Sequence, residues 1–248
     1  MKTSSIFLFF IPFVLLMGSA PPLVELESDS AVVVQLFTSQ GCSSCPSADK
    51  LLEQIKNEYD SNVIVLSYHV DYWNRLGWKD PFSKKEYSNL QYRYSQKFDQ
   101  ANVYTPQAII NGDTYFVGSN KSKMYSNIND YLKIPPKHSI DITSIQKKGK
   151  EVVFSYDISG NINSAYLKAT LVIENRETKV VKGENLGRTL KNSNIVVEET
   201  DLIFNNSSGT AMITIPDIVE EKDELRLVLF TYDQDLLITG AKQSKINN

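Results

Sequence analysis

Two cysteines, Cys42 and Cys45, are separated by two residues in the string CSSC, and no other cysteine occurs in the 248 residues. Thiols at this spacing can close a disulfide and exchange it with another molecule, because a thiolate attacks a disulfide sulfur. So local a bond would restrain the unfolded chain little, and a chain of this length can bury a core without it. We therefore interpret the pair as a redox-active disulfide, with an inert structural bond as the alternative.

The pair lies where a buried strand is predicted to turn into a helix. Residues 32–37, VVVQLF, form an apolar run rich in β-branched residues, which is typical of a buried strand. Apolar residues then recur three and four positions apart, at Ala48, Leu51, Leu52 and Ile55, as on one face of a helix. Unpaired N–H groups and the dipole at a helix start favour a thiolate, here at Cys42. Pro46 suits the first turn. Exchange through a mixed disulfide that Cys45 resolves also requires sulfurs that are not enclosed.

A second buried strand is predicted over residues 63–68, VIVLSY, and it ends in HVDYWN. In open α/β sheets, functional sites collect at the carboxyl ends of the strands. We therefore expect His69, Asp71 and Trp73 at the same edge as Cys42, as candidate substrate-binding residues. The alternatives are a structural histidine at His69 and a packed lid for the aromatic residues.

A proline begins the next predicted strand, after Thr105. The strand ends at Asn111-Gly112, a dipeptide typical of a tight hairpin turn. Because proline removes a ladder hydrogen bond, Pro106 needs a special reason to stand here, and a cis Thr105–Pro106 peptide would supply one. Helices are predicted over residues 83–100 and 122–132.

The order of these elements is that of thioredoxin, and Cys42, Cys45, Thr105 and Pro106 carry the resemblance. The strings LFTSQGCSSCPSAD, HVDYWNRLGWKDPF, VYTPQAIINGD and GENLGRTL also resemble an exported, thioredoxin-like group, domain-of-unknown-function family 1223. This implies an α/β thioredoxin-like domain over residues 28–134, with Pro106 against the cysteines and the backbone beside it pairing with a substrate peptide. Ser43-Ser44 replaces the Gly-Pro pair of thioredoxin, and the tryptophan before the first cysteine is missing, which leaves the redox poise open.

The pattern changes in residues 137–246, where short runs, several of them alternating, are separated by turn residues. Strands are expected over residues 139–146, 152–158, 166–174, 194–204, 210–215, 224–232 and 236–242. Seven antiparallel strands of this kind predict an all-β, sandwich-like second domain. The loop at residues 182–191, KGENLGRTLK, is interpreted as solvated. The alternative is that it faces the cysteine half through Arg188 and shapes a groove.

Residues 1–20 have the layout of a cleaved secretory signal peptide, with Lys2 before an apolar stretch and small residues at the end. The stretch is short for a membrane span, which needs roughly 20 residues. Since Pro21 is a poor cleavage partner, an uncleaved anchor is the alternative. We expect a secreted or periplasmic protein without a membrane span in the mature chain. The net charge of -3 and the lack of a basic stripe argue against nucleic-acid binding.

These observations predict an exported thiol–disulfide oxidoreductase acting on protein or small thiols. Its partners would be exported protein thiols or disulfides and an unidentified redox partner, with no cofactor beyond the Cys42–Cys45 disulfide. One alternative is a copper(I)-binding or copper-delivery protein that uses Cys42, Cys45 and His69, because soft sulfur ligands select Cu(I). Another is a non-catalytic exported binding scaffold with an inert disulfide.

Overall fold

The structure is a computed structural model that describes residues 32–203 and 206–247. The predicted signal peptide and the first four residues of the predicted domain at 28–134 lie outside the described residues. Among the described residues, no helix has both the length and the apolar character that a membrane crossing requires.

The first half alternates strands and helices in the predicted order. The elements are β1 (Val32–Thr38), α1 (Pro46–Tyr59), β2 (Val63–His69), α2 (Lys85–Lys97), β3 (Gln107–Ile110), β4 (Thr114–Val117) and α3 (Lys121–Tyr131), with short 3-10 turns at Asp60–Asn62 and Asn74–Leu76. β1 and β2 are parallel and wholly buried, as their continuous apolar runs predict. β3 runs antiparallel to β1, and β4 runs antiparallel to β3.

The turn between β3 and β4 confirms the predicted hairpin. Asn111 and Gly112 both have positive φ, 50° and 68°, as this class of tight turn requires. A Cβ on Gly112 would stand 1.9 Å from the carbonyl oxygen of Leu236. Only glycine therefore satisfies both the backbone angle and the close packing.

The second half contains the seven predicted strands. They are β5 (Ser139–Lys148), β6 (Glu151–Ser159), β7 (Tyr166–Lys179), β8 (Thr189–Leu202), β9 (Ser208–Thr214), β10 (Leu225–Tyr232) and β11 (Ile238–Ile246). β5, β6 and β9 form one sheet in the order β5-β6-β9. Its apolar side chains, including Phe154 and Ile213, pack against those of β7 and β10, including Leu171 and Leu227. Two sheets therefore face each other, as expected of a sandwich.

The expectation of a separate second sheet system is corrected in one respect. Four of the later strands continue the sheet of the first half, giving a mixed eight-stranded sheet in the order β11-β10-β7-β8-β2-β1-β3-β4. β8 lies parallel to β2 with Ser67 paired to Ile195, and the Asn194 side chain donates to the Val65 carbonyl at 2.9 Å. Without β8, β2 would leave a buried edge unpaired, which is unfavourable. The described chain is thus mostly β, with three α-helices.

Helices cover both faces of the first half of the sheet. α1 and α3 pack on one face, where Leu36, Leu52 and Met124 meet. α2 packs on the other, where Tyr94 contacts Phe37 edge to face. The parallel β1 and β2 end at the same sheet edge, and antiparallel β3 begins there. This edge therefore collects the CSSC string, the HVDYWN string and Pro106.

Candidate functional site

Cys42 and Cys45 are joined by a disulfide between β1 and α1. Cys45 is the N-cap residue of α1 and Pro46 is its first residue, so the predicted strand-to-helix junction is confirmed. Cys42 lies one tight turn earlier, because its N–H donates to the Ser39 carbonyl at 3.1 Å and its own carbonyl accepts from Cys45 N–H at 3.3 Å. Cys45, and not Cys42, therefore occupies the helix tip.

The residue before the predicted proline lies against the disulfide. The Thr105–Pro106 peptide is cis, as expected, and the Thr105 carbonyl oxygen lies 3.9 Å from Cys42 Sγ. A Cβ on Gly118 would stand 3.3 Å from Pro106 Cβ and 2.5 Å from a Leu36 methyl group, so this corner is tightly packed. The structure therefore brings Cys42, Thr105 and Pro106 together, while substrate binding by the last two stays a prediction.

Trp73 connects two sides of the same corner. Its indole N–H donates to Thr105 Oγ1 at 2.7 Å. A Cβ on Gly41 would stand 3.2 Å from Trp73 Cβ, so Trp73 lies directly beside the cysteine turn, residues 39–45. Half-buried Trp73 thus bridges the turn before Cys42 and the residue before Pro106.

Both sulfurs are buried, against the expectation of an open pair. Cys42 and Cys45 each have 0% exposed surface, whereas the intervening Ser43 and Ser44 are exposed. Cys42 Sγ lies 3.4 Å from the hydroxyl of Ser44. Exchange with an outside sulfur therefore requires a local opening of the cysteine turn or of the Thr105 segment that faces it.

His69 lies inside the protein. Its Nδ1 is 2.7 Å from Asp80 Oδ2, which also accepts the Gln40 N–H at 2.8 Å. The ring meets Phe82 edge to face, and Nε2 has no hydrogen-bond partner among the described residues. Burial opposes a charge on His69, but the neighbouring carboxylates outweigh it and raise its pKa. This placement favours a structural role for His69.

Asp71 turns toward α2 and away from the disulfide. Its Oδ1 accepts a hydrogen bond from the Ser88 hydroxyl at 2.5 Å, and the Asp71 N–H donates to Ser88 Oγ at 3.1 Å. Of the predicted substrate-binding residues, Thr105 therefore faces Cys42, with Trp73 and Pro106 next to it, whereas His69 and Asp71 hold other contacts.

A buried acid in α1 was missed by the sequence reasoning. Asp49 is buried and accepts the hydroxyl proton of Thr38 at 2.9 Å. Burial raises its pKa from 3.8 to about 7, although the charge of His69 opposes the shift. The available signal was helical spacing, since Asp49 shares a face with Cys45 and Leu52.

The loop between β7 and β8 closes onto the cysteine turn. The Asn185 side-chain amide donates to the carbonyls of Gln40 and Cys42, both at 2.9 Å, and Asn185 is fully buried. Glu184 Oε2 accepts the Ser43 N–H at 3.0 Å. Exposed Arg188 donates to Asn185 Oδ1 at 2.7 Å. The loop is therefore not simply solvated. It faces the cysteine half, as the alternative expected, but through Asn185 and Glu184 and not through Arg188, and the shaping of a groove stays a prediction.

The three ligands of the copper alternative, Cys42, Cys45 and His69, do not form a metal-holding group within the described residues. Across residues 32–203 and 206–247, no three His, Cys, Asp or Glu side chains form a group that could hold a metal ion. The second histidine is enclosed as well: His138 Nδ1 lies 2.9 Å from the Thr239 hydroxyl, and Nε2 lies 2.8 Å from the Asn161 carbonyl.

We expect Asp80→Asn to destabilise the protein. Asp80 Oδ2 faces both His69 and the Gln40 N–H, and Oδ1 accepts the Phe82 N–H. An amide NH₂ at either position would face a donor, and a buried unsatisfied donor costs about 1–3 kcal/mol. Urea unfolding of the oxidised protein measures this loss. Replacing the exposed Asp157 by Asn is the control and should change the stability by less than about 0.5 kcal/mol. Equal effects at the two positions would contradict the prediction.

Similarity to known proteins covers most of the chain. Residues 33–231 match DUF1223, described as a protein of unknown function. A thioredoxin of Methanocaldococcus jannaschii is 28% identical over 90 residues, which is 36% of this chain and 82% of that protein.

Two solved structures resemble the fold over 88% of this chain. A crystal structure of an Agrobacterium tumefaciens protein has a TM-score of 0.66 and 26% identity, with 95% of that chain covered. HBP35 of Porphyromonas gingivalis has a TM-score of 0.60 and 15% identity, with 76% of that chain covered, and indicates a similar fold only. Because the family match spans residues 33–231, this chain belongs to DUF1223, a family of proteins of unknown function.

Proposed function

We propose that this protein is an exported thiol–disulfide oxidoreductase whose first half is thioredoxin-like. The observation that carries the proposal is the Cys42–Cys45 disulfide at the start of α1, with the carbonyl of the cis Thr105–Pro106 dipeptide 3.9 Å from Cys42 Sγ. A cysteine pair at a helix start is a setting in which thiolates are stabilised and disulfide exchange is favoured.

The topology around the pair supports a thioredoxin-like assignment. The sheet contains the consecutive strands β2, β1, β3 and β4. β1 is parallel to β2, whereas β3 is antiparallel to both β1 and β4. The similarity to an archaeal thioredoxin over 90 residues points the same way. A fold class alone hosts many functions, so the proposed activity rests on the cysteine site.

The proposed reaction begins when a substrate thiolate attacks Cys42 Sγ. The Cys42–Cys45 bond breaks, Cys45 leaves as a thiolate that takes up a proton, and Cys42 is held in a mixed disulfide. A second substrate thiolate then attacks the substrate sulfur of that mixed disulfide and releases Cys42. Two substrate thiols have become a disulfide, and the protein has gained two electrons. The reverse sequence reduces a substrate disulfide, and an exported redox partner resets the pair.

Export of the protein, which is part of the proposal, would place it where disulfide chemistry is possible. The signal-peptide layout of residues 1–20 directs a chain to the periplasm or the outside of the cell, where disulfides persist. Exported proteins that carry thiols or disulfides are the proposed substrates. The disulfide itself is the proposed redox group, and the reaction as written needs no further cofactor.

A second candidate function is a non-catalytic binding scaffold with an inert disulfide. The observation that favours it is the complete burial of Cys42 and Cys45. Structural disulfides of secreted proteins typically have reduction potentials below about -300 mV, whereas known exchange enzymes lie between about -270 and -120 mV.

Equilibration with glutathione or dithiothreitol, together with insulin reduction, separates the two functions. For an oxidoreductase we expect a potential inside the exchange range and insulin reduction that is lost in Cys42→Ser. A potential below about -300 mV combined with no insulin reduction by the wild type would support the scaffold and contradict the proposed activity.

A further inference from the structure

We propose that Glu184, in the loop between β7 and β8, sets the reduction potential of the Cys42–Cys45 pair by making the dithiol form less stable. This inference deepens the proposed redox function and rests on it. Glu184 acts on Cys42 through its contact with the neighbouring Ser43 and is therefore a positioning residue. It lies 141 positions along the chain from Ser43 and meets it only in the folded protein.

The contact puts a negative charge on the cysteine turn itself. Glu184 Oε2 accepts the N–H of Ser43 at 3.0 Å, and Ser43 directly follows Cys42. Hydrogen bonds from the Ser43 side chain and backbone hold the pKa of Glu184 below its usual range. The carboxylate is therefore ionised at neutral pH, beside the residue on which a thiolate forms when the disulfide is reduced.

Neighbouring residues hold Glu184 in this place. Asn185 is buried and donates to the carbonyls of Gln40 and Cys42, so the loop is tied to the backbone at and just before Cys42. Gly183 has a φ of +73°, and a Cβ there would stand 3.2 Å from Trp78 Cβ. The backbone on each side of Glu184 is thus fixed, which keeps its exposed side chain within reach of the Ser43 N–H.

The sign of the effect follows from the charge created by reduction. Reduction converts the neutral disulfide into thiols that can ionise. A thiolate at Cys42 is favoured by nearby N–H groups that are free to donate and is disfavoured by nearby negative charge. Glu184 occupies the N–H of Ser43 and adds a negative charge. Both effects disfavour a thiolate at Cys42, so they stabilise the disulfide relative to the reduced form. The wild-type pair is therefore more reducing than it would be without Glu184.

A charge series at one exposed position tests this inference. Glu184→Gln removes the charge and keeps an acceptor, and Glu184→Lys reverses the charge. Glu177→Gln, at an exposed position of β7 in the same hairpin, removes a charge as a control. The equilibrium with the glutathione couple is measured for each protein by mass spectrometry after acid quenching and alkylation. For Glu184→Gln we expect a shift of about three- to tenfold toward the reduced form, which corresponds to a potential ~15–30 mV more positive.

Two further readouts distinguish a charge effect from a structural one. Glu184→Lys should shift the equilibrium further in the same direction, and the differences should shrink as salt rises from about 50 mM to about 500 mM, because salt screens exposed charges. The reduced Glu184→Gln protein should also be alkylated faster at a fixed neutral pH, since alkylation follows the thiolate fraction. Circular dichroism and thermal unfolding establish that every variant folds.

The outcomes separate this inference from the proposed function. Equal equilibria for wild type, Glu184→Gln and Glu184→Lys, or an equal shift in Glu177→Gln, would overturn the role of Glu184 even if insulin reduction is robust. The redox equilibrium could instead shift in the order of the charge at position 184 while the wild-type potential lies below about -300 mV and insulin is not reduced. This result would support the role of Glu184 and reject the oxidoreductase function.

Discussion

A Cys45→Ser variant should accumulate mixed disulfides with exported proteins, whereas a Cys42→Ser variant should not. In the proposed reaction Cys42 is the exchanging sulfur, because it faces the carbonyl of Thr105 beside the cis peptide, while Cys45 caps α1. Without Cys45 no internal thiol can resolve the bond that Cys42 forms, so the intermediate persists. Incubation with an exported protein fraction, non-reducing electrophoresis and mass spectrometry of the trapped species measure it.

The burial of both sulfurs makes this a demanding test. Cys42 has no exposed surface in the oxidised structure, so trapping requires the turn to open. Breaking the disulfide in the variant removes the covalent link that closes the turn, although the contacts of Asn185 and Glu184 remain. The double variant Cys42→Ser/Cys45→Ser is the control for non-covalent capture. If Cys45→Ser traps no more protein than this control, exchange through Cys42 is excluded.

The local parts of the fold could be predicted because their signals are local. The apolar run at residues 32–37 and the three-and-four spacing through Leu52 and Ile55 predicted β1 and α1. Pro106 at the start of a strand predicted the cis peptide, and Asn111-Gly112 predicted the hairpin. Each of these follows from the backbone chemistry of a few neighbouring residues.

The parts that were missed depend on contacts between distant residues. The side-chain amide of Asn185 donates to the Cys42 carbonyl 143 positions away, and the periodicity of apolar residues along the sequence does not predict such a bond. The burial of the sulfurs and the raised pKa of Asp49 likewise depend on residues that are distant in the sequence, such as Thr105 beside Cys42 and Asp80 near Asp49. The seven later strands could be predicted, but the addition of β8 to β2 could not, because a strand's alternation does not name its partner.

The continuous sheet explains why the second half completes the site. Pairing of β8 with β2 places the end of β7 and the start of β8 beside the cysteine turn. Asn192 of β8 then accepts the side-chain amide of Gln40 at 3.1 Å, and the preceding loop supplies Asn185 and Glu184. If the two halves were separate domains, these contacts would depend on how the domains dock. In a shared sheet, the pairing of β8 with β2 fixes the position of the loop relative to the cysteines.

We expect Asp49→Asn to stabilise the oxidised protein above neutral pH and to have little effect in acid. Burial raises the pKa of Asp49 from 3.8 to about 7, so between these values the folded chain keeps a proton that the unfolded chain has released. Stability must therefore fall as the pH rises through this window and level off above it. A shift of this size corresponds to a cost on the order of 4 kcal/mol at about pH 8. Asparagine removes the charge and keeps an oxygen for the Thr38 hydroxyl.

The pH dependence separates this effect from ordinary repacking. His69 also has a raised pKa, so its stabilising charge is present in acid and is lost as the pH rises through its folded value. That loss slopes in the same direction in both proteins and is smaller in the variant, because Asp49 is one of the carboxylates that raise the pKa of His69. Urea unfolding from about pH 4 to about pH 9 should give curves that nearly coincide in acid and diverge by about 2–4 kcal/mol in favour of Asp49→Asn at high pH. Parallel curves, or a wild type that gains stability from acid to neutral pH relative to the variant, would show that Asp49 is not a buried acid held protonated by its surroundings.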